Sequence, residues 1–156
     1  MKNKRILNKS AFTLVELLIV SGILAVVFTG MLKLFIYTSV QASLSGNKTM
    51  AIVAAQNLME QVRNHTFSSI ATDYASAGTP GDLFTPSGLV GQGKIYIDSS
   101  NAELLVVKVV VSWRDKYGRI IGEDLDLDGV LDAGEDTDGD SQLSSPITLI
   151  SMITRR

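Results

Sequence analysis

The sequence predicts an α+β protein: one long amino-terminal helix, membrane-spanning in its first half, with a small carboxy-terminal antiparallel sheet packed on its second half. Three observations carry this reading. The stretch from Phe12 to Leu32 is apolar with Glu16 as its one charge, and no proline falls between Phe12 and Asn64. Residues 104–113 (LLVVKVVVSW) alternate in the two-residue period of a strand, with Leu105, Val107, Val109, Val111 and Trp113 on one face. The chain closes on a second strand-like run, ITLISMIT at 147–154.

Composition excludes several classes of function. The 156 residues suffice for one modest domain. With no cysteine there is no thiolate metal site, iron–sulfur cluster, disulfide or Cys nucleophile. The single histidine, His65, sits where the long helix should end, a position suited to capping, and nothing beside it offers a nucleophile. No constellation of catalytic residues stands at a recognisable spacing, so no enzyme is predicted. The net charge of −2 argues against direct nucleic-acid binding. That average hides a strong polarity. Lys2, Lys4, Arg5 and Lys9 crowd residues 1–11 without an acid, while residues 123–140 carry nine acids and no base.

The 21 residues from Phe12 to Leu32 would span about 31 Å as a helix, one hydrocarbon thickness. The basic residues ahead of them predict a cytoplasmic start. A secretory signal would be cut after its apolar run, but the nearest small-x-small candidate, Val40-Gln41-Ala42, lies late and beyond Lys33. Glu16 is the informative residue. A carboxylate in lipid is costly and calls for a cationic partner.

The string AFTLVELLIVSGIL (residues 11–24) resembles the cleavage and methylation signature of type IV prepilins and pseudopilins. The resemblance implies that a prepilin peptidase cuts between Ala11 and Phe12, and that the new amine of Phe12 is methylated. Ala11 stands where the family usually has glycine. Residues 1–11 are then a leader, 12–33 a transmembrane and filament-core helix, and 34–65 the soluble half of a spine helix. Glu16 becomes the assembly residue, facing the amine of a neighbouring chain and setting subunit register.

Beyond the membrane, Ala51, Ala54, Ala55, Leu58 and Val62 repeat with helical spacing and form an apolar stripe. Gly46 and Asn47 are the places where the helix could bend. Many major pilins have a proline near residue 33; Lys33 here favours a minor pilin or pseudopilin. Residues 66–156 make the head. Ser, Thr, Gly and Pro dominate 66–93, which is expected to be loop. Strands are expected at 94–98 and 104–113, with a turn at Asp115–Gly118, a return strand at 119–121 and a last strand at 147–154. These runs resemble the sheets of the smaller minor pseudopilins of type II secretion and their pilus counterparts.

Between the last two strands lies DLDLDGVLDAGEDTDGD. Its first twelve residues match the D-x-D-x-D-G-x-x-D-x-x-E calcium loop. Asp124, Asp126, Asp128, the Val130 carbonyl, Asp132 and Glu135 would supply the oxygens, with Gly129 at the sharp turn. Asp136, Asp138 and Asp140 offer a second, incomplete set. The predicted cofactor is structural calcium, taking the place of the disulfide that closes this region in many pilins.

The function expected is that of a minor pilin or pseudopilin in a type IV pilus or type II secretion pseudopilus. It would sit in the bacterial inner membrane as a single-pass protein with its head outside the cytoplasm, and then in the filament. Its partners would be other pilin subunits, prepilin peptidase, the inner-membrane assembly platform and membrane lipid. The alternative is a membrane-tethered calcium-binding or adhesion module that never polymerises.

Overall fold

The computed structural model describes residues 12–155, and the chain divides into two compact units between Gln41 and Ala42. One helix, α1 (Leu14–Arg63), contributes to both. The start of the first unit follows from local chemistry. Thr13 precedes the helix, and its Oγ1 accepts the Glu16 N–H at 3.2 Å, one of the orphan donors that every helix leaves at its amino end. The Thr13–Glu16 spacing is that of a capping box. From Leu14 to Tyr37 the large apolar side chains are exposed, and the segment is long and apolar enough to cross a membrane. Its hydroxyls are satisfied within the helix. Ser21 donates to the Leu18 carbonyl at 2.9 Å and Thr29 to the Ala25 carbonyl at 2.8 Å, so neither asks lipid for a partner.

The second unit is a sheet with helices on one face. Ala51, Ala55, Leu58, Met59 and Val62 of α1 are buried, close to the expected stripe, with Ala54 only partly covered. A short helix, α2 (Phe67–Asp73), follows, and Ile70 is fully enclosed. This corrects the loop expected over 66–93. Phe67, Ile70 and Tyr74 repeat at three- and four-residue steps and bind the segment to the core in spite of its Ser-rich composition. Tyr74 is buried with its hydroxyl unpaired, and burial pushes that phenol above its ordinary range.

Five strands form the sheet: β1 (Leu83–Phe84), β2 (Gly91–Asn101), β3 (Leu104–Arg114), β4 (Ile120–Ile121) and β5 (Thr148–Thr154). The order is β1-β2-β3-β4, with β5 also paired to β3, and every pairing is antiparallel. β2 is longer than the expected 94–98 because it pairs with β3 from Gly91↔Trp113 to Asn101↔Leu104, across an irregularity between Asp98 and Asn101. Its Gly93 keeps room for the Phe84 ring.

The odd residues of β3, Leu105 to Trp113, face the helix side and join Ile95 and Ile147 in the core. The even residues hold a surprise. Val110 and Ser112 are buried too, because the segment after β4 folds back over that face. Ser145 Oγ donates to the Val111 carbonyl at 2.5 Å, the Leu143 N–H to Tyr96 Oη at 2.8 Å, and Lys108 pairs with Asp140 at 3.2 Å. The sheet is therefore covered on both faces over part of its area.

Between β3 and β4 the chain turns on Asp115. Its side chain is fully enclosed and accepts the N–H groups of Tyr117 (2.8 Å) and Arg119 (2.9 Å). It also accepts Arg119 Nε at 2.8 Å. Burial pushes this carboxyl up, but the Arg119 guanidinium and the backbone donors outweigh burial and hold it below the usual range. A depressed folded value means that the turn contributes stability above the unfolded carboxyl pKa, about 3.9, and loses it as pH falls through the folded value. Asp115→Asn should lower the melting temperature at neutral pH and flatten its fall below about pH 4, read by thermal melts across that range.

Candidate functional site

Two places carry the chemistry singled out in the sequence: the start of α1 and the loop between β4 and β5. At the first, Phe12 and Glu16 are both exposed, and Glu16 lies in the first turn of α1. Ala11, the other side of the expected cut, lies outside the described residues. A carboxylate in the first turn faces the partly positive helix end, which offsets some of its cost in lipid. Thr13 was not singled out in the sequence, although its T-x-x-E spacing to Glu16 was the available signal. It sets where the helix begins, and so where Glu16 is carried.

At the second, the fold brings one carboxylate oxygen each of Asp124, Asp126 and Asp128 within 4.8 Å of one another. A second trio, Asp136, Asp138 and Asp140, converges to the same limit. Asp124 anchors the first loop at 1% exposure. It accepts the N–H groups of Asp128 at 3.1 Å and Gly129 at 3.0 Å. Gly129 adopts φ 79°, the left-handed region where glycine avoids strain. Burial raises the Asp124 carboxyl, against the backbone donors that lower it, and the nearby Glu135 raises it further. A buried acid beside another acid is a group that a cation would relieve.

Glu135 closes the first loop. Its Oε1 accepts the Leu125 N–H at 2.6 Å and its Oε2 the Asp132 N–H at 3.0 Å. Val130, whose carbonyl was expected among the ligands, has an exposed side chain, and its N–H is held by Asp128 at 2.7 Å.

The second loop repeats the first twelve residues on, Asp136 matching Asp124 and Asp140 matching Asp128. Asp136 accepts the N–H groups of Gly139 at 2.7 Å and Ser141 at 3.2 Å, the second of these matching the Gly129 bond to Asp124 in the first loop. Ser141 takes φ 60° in the place of Gly129. The position matching Glu135 is Ile147, a core residue, so in the sequence this loop lacks its last carboxylate.

Glu123 occupies that role in space. It accepts the Thr137 N–H at 3.0 Å and the Ser144 N–H at 2.8 Å, the residues that match Leu125 and Asp132, together with the Thr137 hydroxyl. The Thr137 hydroxyl bond holds its carboxyl below the usual range, against burial that raises it. The two loops are thus locked reciprocally, each carrying a glutamate set just before the first aspartate of a loop. The signal was present as Glu-Asp-x-Asp at 123–126 and again at 135–138.

Among the described residues the lone histidine is placed as a structural group. His65 Nδ1 stands 3.5 Å from Asp73 and its ring meets Tyr74 edge-on at 5.1 Å, tying the end of α1 to α2.

Comparison with known proteins bears on the first site. Residues 6–32 match the family model of the prokaryotic N-terminal methylation motif. The chain thus carries the type IV pilin signature, and its long amino-terminal helix with a small antiparallel sheet fits that layout. No curated protein and no solved structure matches the chain.

Proposed function

We propose that the protein is a minor pilin or pseudopilin, held in the bacterial inner membrane by the first half of α1 and polymerised through that helix after its leader is removed. The observation that supports this most is the methylation motif lying over an exposed apolar helix with Glu16 in its first turn. Removing residues 1–11 leaves a free amine at Phe12, one turn from Glu16. In the bilayer the carboxylate lacks a full counter-charge; in a filament a neighbouring chain's amine supplies it. Prepilin peptidase, an assembly platform and other pilin subunits are the partners this requires. The head carries more acids than bases, which disfavours DNA as a direct ligand.

The acidic loops are proposed to hold structural calcium. The donor chemistry fits a hard cation of high coordination number: Asp124, Asp126, Asp128, Asp132 and Glu135 with the Val130 carbonyl in the first loop. Asp136, Asp138 and Asp140, with Glu123 behind them, form the second. Calcium would fix this covering segment on the sheet where other pilins use a disulfide, and it has no catalytic part.

The test is a shear experiment on cells producing the tagged full chain with its filament system. Recovery of the chain in the sheared filament fraction, dependent on prepilin peptidase, is expected. Retention of the chain wholly in membranes would replace this reading with that of a tethered calcium-binding module.

A further inference from the structure

We propose that β5 is a self-pairing edge, through which the head docks antiparallel on a second copy of this chain. The ladder to β3 shows which backbone groups are free. Val111 donates to the Ile147 carbonyl at 3.1 Å, and Arg155 to the Glu103 carbonyl at 3.1 Å, at the two ends of the β3–β5 register. Antiparallel bonding alternates, so residues 147, 149, 151, 153 and 155 bond to β3. The N–H and C=O groups of Thr148, Ile150, Met152 and Thr154 then point to the open side.

Among the described residues that edge has none of the usual protections. From Thr148 to Thr154 there is no charge and no proline, and the β3–β5 register runs without a bulge. Ile150 and Met152 stand 64% and 70% exposed on the outer face. The segment after β4 buries Val110 and Ser112 but leaves these two exposed.

The strand's own sequence identifies the occupant. TLISMIT is a near-palindrome about Ser151: Thr148 mirrors Thr154, Leu149 mirrors Ile153 and Ile150 mirrors Met152. Set antiparallel about Ser151, two copies place threonine opposite threonine and branched or long apolar side chains opposite each other, the pairs that stabilise sheets. The backbone parity agrees. Ile150 opposite the partner's Met152, and Thr148 opposite the partner's Thr154, join residues whose bonding groups already face outward, while the two Ser151 residues form a non-bonded pair. Such a contact is isologous and closes on itself. Arg63 donates to Ser151 Oγ at 2.9 Å and is paired with Glu60 at 2.7 Å, so the charge at this edge is matched. Antiparallel pairing reverses the stretch of α1 over the sheet as well.

The chain has no cysteine, which makes a cross-link test clean. Non-bonded antiparallel pairs bring Cα atoms to about 4.5 Å, within disulfide range. In the full chain purified in detergent, Ser151→Cys should oxidise to a covalent dimer at least tenfold faster than Ser100→Cys, which lies at the exposed end of β2. Independently, Ile150→Lys with Met152→Lys sets lysines opposite each other across the pair. Sedimentation of the cysteine-free chain should show its dimerisation weakened at least tenfold by that double change. A monomeric Ser151→Cys, cross-linking no faster than the control, or a self-association indifferent to the two lysines, would overturn the proposal. Occupation of the edge by a strand of another protein would appear as the first of these.

Discussion

Replacing Glu16 by alanine should cut incorporation into filaments by roughly two to three orders of magnitude while leaving the membrane pool intact or enlarged. The two effects have one origin. In the bilayer Glu16 is the single charge of the apolar stretch from Phe12 to Leu32, whose hydroxyls are satisfied internally, and alanine there removes a cost of up to about 3 kcal/mol. In the filament the same change strands the neighbouring chain's amine. Losing one partner of a desolvated pair costs about 3–5 kcal/mol, and each 1.4 kcal/mol is a factor of ten. Glu16→Gln keeps the shape and a hydrogen-bonding group but not the charge. It should assemble as poorly as alanine if charge is what matters. The measurement is the ratio of chain in sheared filaments to chain in membranes, and equal ratios for the three proteins would contradict the pairing.

Calcium should produce the next largest effect. A ligand that binds only the folded state at a hundred times its dissociation constant adds about 2.7 kcal/mol. For a head of this size that corresponds to a rise in melting temperature of roughly 10 °C. Asp124→Ala should abolish most of it, since Asp124 is the most enclosed carboxylate of the first loop and the acceptor on which its backbone turns. Glu123→Gln gives a finer test. Glu123 closes the second loop through Thr137 and Ser144, so its loss should weaken the second of two calcium-binding steps more than the first. Thermal melts and calorimetry of the full chain in detergent, with calcium and with chelator, read both. An unchanged melting temperature would remove the metal from the account.

How far the sequence foretold this architecture depends on whether each signal was local. The helix start was legible because apolar length, charge asymmetry and the absence of proline all lie within one continuous stretch. So was β3, whose valines alternate through Leu105 to Trp113. The burial of Val110 and Ser112 was not legible, since it depends on a segment some thirty residues later folding back over the sheet. The short α2 was hidden by composition: serine and threonine argued for loop, and Phe67, Ile70 and Tyr74 form a helix only because the core receives them. The first acidic loop was visible as a spacing, its carboxylates lying in one contiguous stretch. The closure of the second by Glu123 was not, because its carboxylate comes from the far side of the first loop. The Thr13 cap is carried only by a T-x-x-E spacing set inside the apolar run, where hydrophobic length dominates the local pattern.

The most direct trial of the whole account is the mass of the amino-terminal peptide from chain extracted out of membranes with active prepilin peptidase. A peptide beginning at Phe12 and carrying one methyl group on its amine is the predicted result. A chain still beginning at Met1 in those cells would contradict it, since Glu16 would then have no terminal amine to meet.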